Sequence, residues 1–267
     1  MIDYKQLCVQ TCEIARLAGN FIRKETAAFS TKSVEVKGLN NFVSYVDKGS
    51  EELIVERLLE LLPEAGFIAE EGTNDTQGER FNWVIDPLDG TTNFIHGLPP
   101  YSVSIGLLEN NIPVLGVVYE VTLDECFYSW KDAPAYLNGK EIRVSDRAKV
   151  EDALIATGFP YYDYHLMRPY IDCLEHFLQN SHGVRRLGSA AVDLAYVACG
   201  RFEAFYEYSL NPWDVVGGSF ILQQAGGKVS DFSGGDNYIF GKELVAANSA
   251  IFDEFLKIVQ NYMICEK

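Results

Sequence analysis

Two aspartates at the end of an apolar strand are the side chains of this sequence best placed to do chemistry. Asp86 and Asp89 are three residues apart, and the proline that follows Asp86 keeps that residue extended. Carboxylates at this spacing suit a hard divalent cation, which prefers oxygen ligands. The backbone N–H groups of Gly90 and Thr91, at the start of a predicted short helix, suit a phosphate oxygen. The segment predicts either a metal-binding site beside an anion-binding turn, or an aspartate-rich turn in which Thr91 and Thr92 cap the helix.

Four further acidic residues, at three places in the chain, have two interpretations each. Glu70 and Glu71 follow another apolar strand, where they could bind a cation or lie in a solvated turn. Asp214 comes three residues after Asn211, which favours a helix cap, yet a capping carboxylate can also face a cleft. Asp47 is predicted either to cap a helix or to accept a hydrogen bond that orients a hydroxyl group. The residues alone leave these alternatives open.

The chain of 267 residues is strongly acidic. Its 38 Asp and Glu residues outnumber 22 Lys and Arg, which leaves a net charge of −16 at pH 7. A surface of this charge gains no counterion release from nucleic acid or from an anionic membrane, so we expect neither as a partner. An anionic substrate would need a local positive charge, which a bound cation could supply. The 48% hydrophobic and 22% charged residues exclude a fully disordered chain.

The sequence predicts a cytoplasmic location. The first residues lack the basic-then-apolar order of a signal peptide, and no apolar run approaches the ~20 residues needed to cross a bilayer. The six cysteines include no Cys-x-x-Cys pair. We therefore expect buried, reduced thiols rather than disulfides or a cysteine metal site.

The apolar periodicity predicts helices layered against sheets. We expect an amphipathic helix over 3–28, a β-hairpin over 34–46 and a helix opened by Asp47 over 47–61. Strands are expected over 66–69 and 81–85 and within the stretch 101–130. Strands near 153–156, 203–208, 228–231 and 244–247 then alternate with helices near 169–179, 189–199, 212–225 and 250–263. This is an α/β (α+β) fold with an antiparallel-rich N-terminal sheet and a mixed C-terminal sheet. Because no repeat or linker interrupts the chain, we expect one domain over 1–267, with lobes of about 1–150 and 151–267.

Two long segments resemble the signatures of the inositol monophosphatase family of metal-dependent sugar phosphatases. Trp83–His96 resembles the first signature and Trp213–Gly227 the second. The resemblance continues through Asn41–Asp47, Phe67–Gly72 and Gly188–Ala191, so it covers essentially the whole chain. It implies a layered αβαβα sandwich and a Mg²⁺-dependent phosphomonoesterase. Such an enzyme would hydrolyse inositol monophosphate with a metal-activated water and would work as a homodimer.

The resemblance also implies roles for individual residues. Two or three Mg²⁺ ions would be held by the carboxylates of Glu70, Asp86, Asp89 and Asp214 and by the backbone carbonyl of Leu88. Catalysis would involve Asp47, Glu70 and Thr91, with the Thr91 hydroxyl orienting the attacking water. Phosphate and substrate would contact Asp89, Gly90, Thr91, Ser189, Ala190, Glu207 and Asp214. No serine or cysteine nucleophile is required, and His96 is expected to be structural.

Two departures from the family pattern concern metal affinity and substrate preference. Val216 stands where the second signature usually has a small residue, and Asn41 stands where relatives often carry Asp. Related activities are therefore alternatives, namely those of a fructose 1,6-bisphosphatase, a histidinol-phosphatase or a 3′-phosphoadenosine 5′-phosphate phosphatase. A non-catalytic relative that binds a metal or a phosphorylated ligand is a further alternative.

Two features outside the signatures have open interpretations. Arg185 and Arg186 could bind a second phosphate of a bisphosphate substrate, although structural ion pairs on this acidic chain are the expected role. The small residues of Ser189–Gly200 could let two subunits approach closely, or could serve a helix contact within one chain.

Overall fold

The computed structural model describes the backbone of residues 2–26, 34–38 and 41–264 and the side chains of residues 2–26 and 44–264. In chain order the elements are α1 (Tyr4–Thr26), β1 (Val34–Gly38), β2 (Asn41–Ser44), α2 (Tyr45–Leu61), β3 (Gly66–Ala69), β4 (Phe81–Asp89), α3 (Thr91–Ile95), β5 (Ser102–Glu109), β6 (Ile112–Glu120), β7 (Glu125–Trp130), β8 (Ala135–Leu137), β9 (Lys140–Ile142), a 3₁₀ turn (Val150–Asp152), β10 (Leu154–Thr157), α4 (Met167–Asn180), β11 (Gly183–Arg185), α5 (Ala190–Ala198), β12 (Ala204–Tyr208), α6 (Pro212–Gln224), β13 (Gly227–Ser230), β14 (Glu243–Asn248) and α7 (Phe252–Met263).

The larger sheet has seven strands in the order β3-β4-β5-β6-β7-β8-β9. Strand β3 runs parallel to β4, and the pairs from β4 to β9 are antiparallel. One face of this sheet packs on α1 and α2 through a core that includes Ile54, Trp83 and Val117. The expected antiparallel-rich N-terminal sheet is confirmed.

The smaller sheet has five strands in the order β11-β10-β12-β14-β13 and is mixed, as expected. Strand β10 is parallel to β11 and β12, whereas β14 is antiparallel to β12 and β13. A second core, which includes Val84, Leu194 and Phe205, joins both sheets to α5 and α6 between them. A third core packs α4 and α7 on the outer face of the smaller sheet. The order of layers is αβαβα, and the predicted fold class is confirmed. The division into two lobes near residue 150 stays a prediction.

The starts of two helices differ from the expectation, and both starts lie at the candidate site. Ser44 is the N-cap of α2, and Asp47 is the third helical residue, whose carboxylate accepts from the Ser44 N–H at 2.8 Å. Gly90 is the N-cap of α3, so Thr91 and Thr92 lie inside the helix rather than capping it. In both cases the structure keeps the side chain available for a contact other than the cap.

The strands that the periodicity missed are short. β8, β9 and β11 have three residues each, too few to show a period of two in the sequence. The last two residues of the predicted first helix, 27 and 28, lie outside the described residues, as do Leu39 and Asn40 of the predicted hairpin turn and the side chain of Asn41.

Val216 is accommodated by a glycine on the neighbouring strand. The side chain of Val216, on α6, is fully buried, and a Cβ added to Gly106 on β5 would lie 2.4 Å from its Cγ1. The larger residue at 216 therefore requires Gly106 to keep the distance between helix and sheet.

The small residues of α5 pack inside the chain. Ala191, Ala195 and Ala198 are fully buried between the two sheets, and a Cβ at Gly218 of α6 would lie 2.7 Å from Leu194 Cβ. This intramolecular contact accounts for the composition of the helix, so the composition no longer argues for a subunit interface. Five of the cysteines are free, as expected, and Cys265 lies outside the described residues. In the described part of the chain, no helix combines the length and apolar character needed to span a bilayer.

Candidate metal centre and active site

Three aspartates from two distant segments meet at one end of the larger sheet. Asp86 and Asp89 lie at the end of β4, where the pairing with β5 shifts register between them. Asp214 lies in the first turn of α6, and its carboxylate accepts from the Asn211 N–H at 2.6 Å. One carboxylate oxygen from each aspartate lies within 4.8 Å of the others. Asp214 therefore both caps its helix and faces the cleft, so its two predicted interpretations hold together.

The electrostatics of this cluster favour a bound cation. Burial raises the pKa of Asp86 well above its usual range, and the nearby carboxylates of Glu70, Asp89 and Asp214 raise it further. Burial and then the charge of Asp89 raise the pKa of Asp214 in the same way. Carboxylates are buried at low cost only when a counter-charge compensates them. A divalent cation with oxygen ligands would supply that charge, so these residues fit the implied metal.

Asp89 connects the cluster to the N-terminus of α5. Its Oδ2 accepts from Ser189 Oγ at 2.6 Å and from the Ala191 N–H at 2.8 Å. Burial raises the pKa of Asp89 to about 6, although these hydrogen bonds oppose the rise. The contact fixes Asp89 against the helix that carries the predicted substrate residues Ser189 and Ala190.

Glu70 lies directly after β3 and beside the aspartate cluster. Its N–H donates to the Ile85 carbonyl at 3.2 Å, which continues the β3–β4 pairing to the end of the strand. After burial, its charge is the largest cause of the raised pKa of Asp86. The oxygens of Glu70 are not among those that meet within 4.8 Å. The geometry therefore offers two places for a cation. One lies among the three aspartates, and the other (the Glu70 seat) lies on the Glu70 side of Asp86.

Half-buried Thr91 and fully buried Asp47 form a hydrogen-bonded pair at the edge of the cluster. Thr91 Oγ1 donates to Asp47 Oδ1 at 2.8 Å and also lies 3.0 Å from the Leu88 carbonyl oxygen. Asp47 is fully buried, and burial raises its pKa while the hydroxyl and N–H of Ser44 and the Thr91 hydroxyl oppose the rise. With the Thr91 proton directed to these acceptors, the lone pairs of its oxygen can accept from a water in the cleft.

Gly90 turns the chain between β4 and α3. Its φ of 96° is in the left-handed region, and a Cβ there would lie 3.1 Å from the Pro100 carbonyl oxygen and 3.3 Å from that of Gly188. Only glycine fits both the conformation and the space. The turn leaves the backbone of Gly90 and Thr91 on the wall of the cleft.

The cleft has a volume of about 110 Å³. All the predicted site residues except Asp47 line it, and Asp47 lies behind Thr91. The predicted residues that line the cleft are Glu70, Asp86, Leu88, Asp89, Gly90, Thr91, Ser189, Ala190, Glu207 and Asp214. The sequence positions of these residues span both sheets and both central helices. His96 is exposed at the end of α3 and does not line the cleft.

Glu207 on β12 lines the same cleft as the metal cluster. Burial raises the pKa of its carboxyl to about 8. A Cβ added to Gly158 would lie 2.0 Å from the Glu207 carboxyl carbon, so the absence of a side chain at 158 makes the space for Glu207. A neutral or charged carboxyl at this place can accept a hydrogen bond from a hydroxyl group.

The outer rim of the cleft was not predicted from the sequence. Phe159, Pro160, Tyr161 and Tyr162 line it, and Arg186 Nη2 donates to the Tyr161 hydroxyl oxygen at 3.0 Å. The Arg186 guanidinium also lies over the Phe159 ring, 5.7 Å from its centroid. Among the described residues neither Arg185 nor Arg186 forms an ion pair, so the expected structural ion pairs are wrong for this part of the chain. Arg186 packs on aromatic rings instead.

Two residues of α2 belong to the site and were missed. Ser50 Oγ donates to the Pro87 carbonyl at 3.0 Å, and Glu51 accepts from the N–H groups of Glu71 and Thr73 at 2.8 Å each. Both side chains are fully buried. The signal was present in the sequence, because Asp47, Ser50 and Glu51 follow the spacing of one helix face on which apolar residues would be expected.

The chain is similar to known proteins over almost its entire length. A profile of the inositol monophosphatase family matches residues 3–263. A protein of Neisseria meningitidis serogroup B, named a putative Nus factor SuhB, is 39% identical over 93% of this chain and 96% of its own. A protein of Aquifex aeolicus, named fructose-1,6-bisphosphatase/inositol-1-monophosphatase, is 37% identical over 96% of each chain.

A solved structure has the same fold. The extragenic suppressor protein SuhB of Bartonella henselae superposes with a TM-score of 0.89 at 34% identity, covering 96% of this chain and 98% of its own. The profile match and these similarities confirm the resemblance to the inositol monophosphatase family. The chain belongs to the inositol monophosphatase family.

Proposed function

We propose that this protein is a Mg²⁺-dependent phosphomonoesterase that hydrolyses inositol monophosphate to inositol and phosphate. The observation that carries the proposal is the convergence of Asp86, Asp89 and Asp214 beside the Asp47–Thr91 pair in one cleft. The family is phosphatase-type, which supports the hydrolase class. Cations would be held by the carboxylates of Glu70, Asp86, Asp89 and Asp214 and by the Leu88 carbonyl, two or three per site.

When bound, Mg²⁺ would lower the pKa of a coordinated water and neutralise phosphate charge. The protein's own groups supply position and orientation, which is most of what phosphoryl transfer requires. Thr91 Oγ accepts a hydrogen bond from the attacking water because its own proton is directed to Asp47 and the Leu88 carbonyl. Asp47 holds the Thr91 rotamer through this contact. As Thr91 takes the proton that the water loses, it passes its own hydroxyl proton to the Asp47 carboxylate.

Phosphate and polyol are bound by different walls of the cleft. The N–H groups of Gly90 and Thr91 donate to phosphate oxygens, since both line the cleft at the start of α3. The substrate's hydroxyl groups contact Asp89, Ser189, Ala190, Glu207 and Asp214. Asp89 and Glu207 both line the cleft, and together they set the orientation of the sugar.

The substrate is tested by phosphate release from inositol 1-phosphate, fructose 1,6-bisphosphate, histidinol phosphate and 3′-phosphoadenosine 5′-phosphate, measured side by side. The proposal expects the highest kcat/KM for inositol 1-phosphate. Preference for the bisphosphate would favour the activity in the name of the Aquifex aeolicus relative. Arg186, which donates to Tyr161 on the rim of the cleft, would then be the candidate partner of the second phosphate.

The second candidate is a non-catalytic protein that only binds a metal or a phosphorylated ligand. Relatives that are named Nus factors, and not phosphatases, favour considering this role. The Asp47–Thr91 pair argues against it, because a module that only binds a ligand has no use for a hydroxyl directed at a water. We further propose that the protein is a cytoplasmic homodimer, and sedimentation tests the dimer. We also propose that it does not bind nucleic acid, for which the charge of −16 is the supporting observation and a gel-shift assay with RNA is the test.

A further inference from the structure

Helix α2 places three buried polar side chains on one face. Asp47, Ser50 and Glu51 are each 0% exposed. Ser50 and Glu51 follow Asp47 by three and four residues, so they lie on the same side of the helix as Asp47. Together they contact two segments of the candidate site. Asp47 accepts from Thr91 and Ser50 donates to the Pro87 carbonyl, both in the β4–α3 segment, and Glu51 binds the turn that follows Glu70. The first half of α2 thus connects these two segments.

Glu51 holds its segment with both carboxylate oxygens. Oε2 accepts from the Glu71 N–H and Oε1 from the Thr73 N–H, each at 2.8 Å. The two N–H groups flank Gly72, whose φ of 70° in the left-handed region lets them face the same acceptor. A buried carboxylate without these donors would be strongly unfavourable, so the helix and the turn are fixed to one another.

Glu70 is held on both sides of its backbone by these contacts. Its own N–H donates to the Ile85 carbonyl, one residue before Asp86, and the next N–H along the chain donates to Glu51. The approach of the Glu70 carboxylate to Asp86 therefore depends on the position of α2. The described contacts of Glu51 include none with Asp86, Asp89 or Asp214, so its influence on the site passes through the turn.

We propose that Glu51 is a positioning residue that sets the divalent-cation affinity of the Glu70 side of the site. The inference rests on the proposed function, because it takes Glu70 as a cation ligand. Partners that orient metal ligands typically contribute about 10- to 100-fold to metal affinity. Loss of Glu51 lowers the affinity of the Glu70 seat and leaves the seat among the three aspartates intact.

The test compares E51Q with E52Q. Glu52 is the next residue of α2 and is exposed, so E52Q removes the same charge from the same helix without touching the turn. Binding of Mn²⁺ to each protein is followed by electron paramagnetic resonance, and the Mg²⁺ concentration for half-maximal phosphate release is measured in parallel. We expect E51Q to weaken one class of Mn²⁺ sites about 10-fold or more and to leave the other class unchanged. It should raise the Mg²⁺ requirement by a similar factor, with kcat at saturating Mg²⁺ within about 3-fold of wild type. E52Q should match wild type.

A second comparison separates positioning from a general structural effect. In an E70Q background, E51Q should change Mn²⁺ binding less than 2-fold, because the ligand through which it acts is already altered. E51D, which keeps the charge but has a shorter reach, serves if E51Q does not fold, and it should weaken the same sites. Equal Mn²⁺ binding by E51Q and E52Q, or an undiminished loss in the E70Q background, would overturn the inference. If wild type binds Mn²⁺ but releases no phosphate from any ester, the proposed function fails while the Mn²⁺ comparison still decides the role of Glu51.

Discussion

At the scale of single residues, the Thr91 hydroxyl is the group whose removal separates binding from chemistry. Thr91→Ala removes the oxygen that accepts from the attacking water and leaves the four carboxylates in place. We expect kcat for phosphate release to fall about 100-fold or more, the range of a lost proton-transfer partner, with Mn²⁺ binding little changed. Thr91→Ser keeps the hydroxyl and should retain most of the activity. A Thr91→Ala protein within 2-fold of wild type would contradict the role given to Thr91.

A second residue-scale prediction concerns the space beside Glu207. In Gly158→Ala the new Cβ would meet the Glu207 carboxyl at 2.0 Å, so that side chain must move. Because Glu207 is proposed to bind the polyol and not the phosphate, KM for inositol 1-phosphate should rise more than kcat falls. Gly49→Ala on α2, where the Cβ would meet only the tip of Phe21 at 3.0 Å, is the control. Steady-state kinetics of the three proteins decide the matter, and an unchanged KM in Gly158→Ala would count against the Glu207 assignment.

At the scale of elements, the packing of α6 on β5 is tested by a pair of substitutions. Gly106→Ala would put a Cβ 2.4 Å from Val216 Cγ1 and should destabilise the protein by about 1–3 kcal/mol, the usual cost of overpacking a core. Val216→Ala in the same protein should recover part of this loss, because the two sites are in direct contact. Urea unfolding of the single and double variants measures the coupling. Strictly additive losses would show that the two positions do not share this contact.

The elements also show how far the sequence could predict the structure. Helices α5 and α6 were recognisable because apolar residues fill them and Asn211, Pro212 and Asp214 mark the start of α6. The start of α2 was misplaced because Asp47 and Ser44 form a reciprocal cap, and either residue type could stand at the N-cap. The three-residue strands are defined by hydrogen bonds to distant strands, which no local pattern records.

Only part of the site was predictable, because local patterns record spacing along the chain and not contacts between distant segments. Asp86 and Asp89 are only three residues apart in sequence, so their spacing alone offered a shared metal site as one of two interpretations. Their meeting with Asp214, some 125 residues further along, depends on the central position of α6 and was reached only through the resemblance to the family. Ser50 and Glu51 bind backbone atoms, so the residues they contact give no sign of them, and only their own spacing along α2 indicated a role.

At the scale of the whole molecule, the acidic cleft should make stability depend on pH. The pKa values of Asp89 and Glu207 are raised by burial to about 6 and about 8, above the ordinary values of 3.8 and 4.5. A group whose pKa is higher in the folded state contributes stability that is fully present below its unfolded pKa and is lost as the pH rises through the folded pKa. Asp86 and Asp214 shift in the same direction.

Metal-free protein should therefore have a lower Tm at pH 8 than at pH 5. Divalent cation binds the ionised carboxylates, so added Mg²⁺ should raise Tm more at pH 8 than at pH 5. Differential scanning calorimetry with and without Mg²⁺ at the two pH values gives both differences. Asp214→Asn should reduce the Mg²⁺ effect, and an equal effect of Mg²⁺ at both pH values would argue against a carboxylate metal centre.

The central claim is that the converging carboxylates hold the cations on which phosphate release depends. It is tested most directly by removing metal with a chelator, adding Mg²⁺ back in steps, and measuring phosphate release from inositol 1-phosphate by wild type and Asp89→Asn. The account predicts no release from the stripped protein, full recovery with Mg²⁺ in wild type, and little recovery in Asp89→Asn. Release that continues without a divalent cation, or that survives the loss of the Asp89 carboxylate, would contradict it.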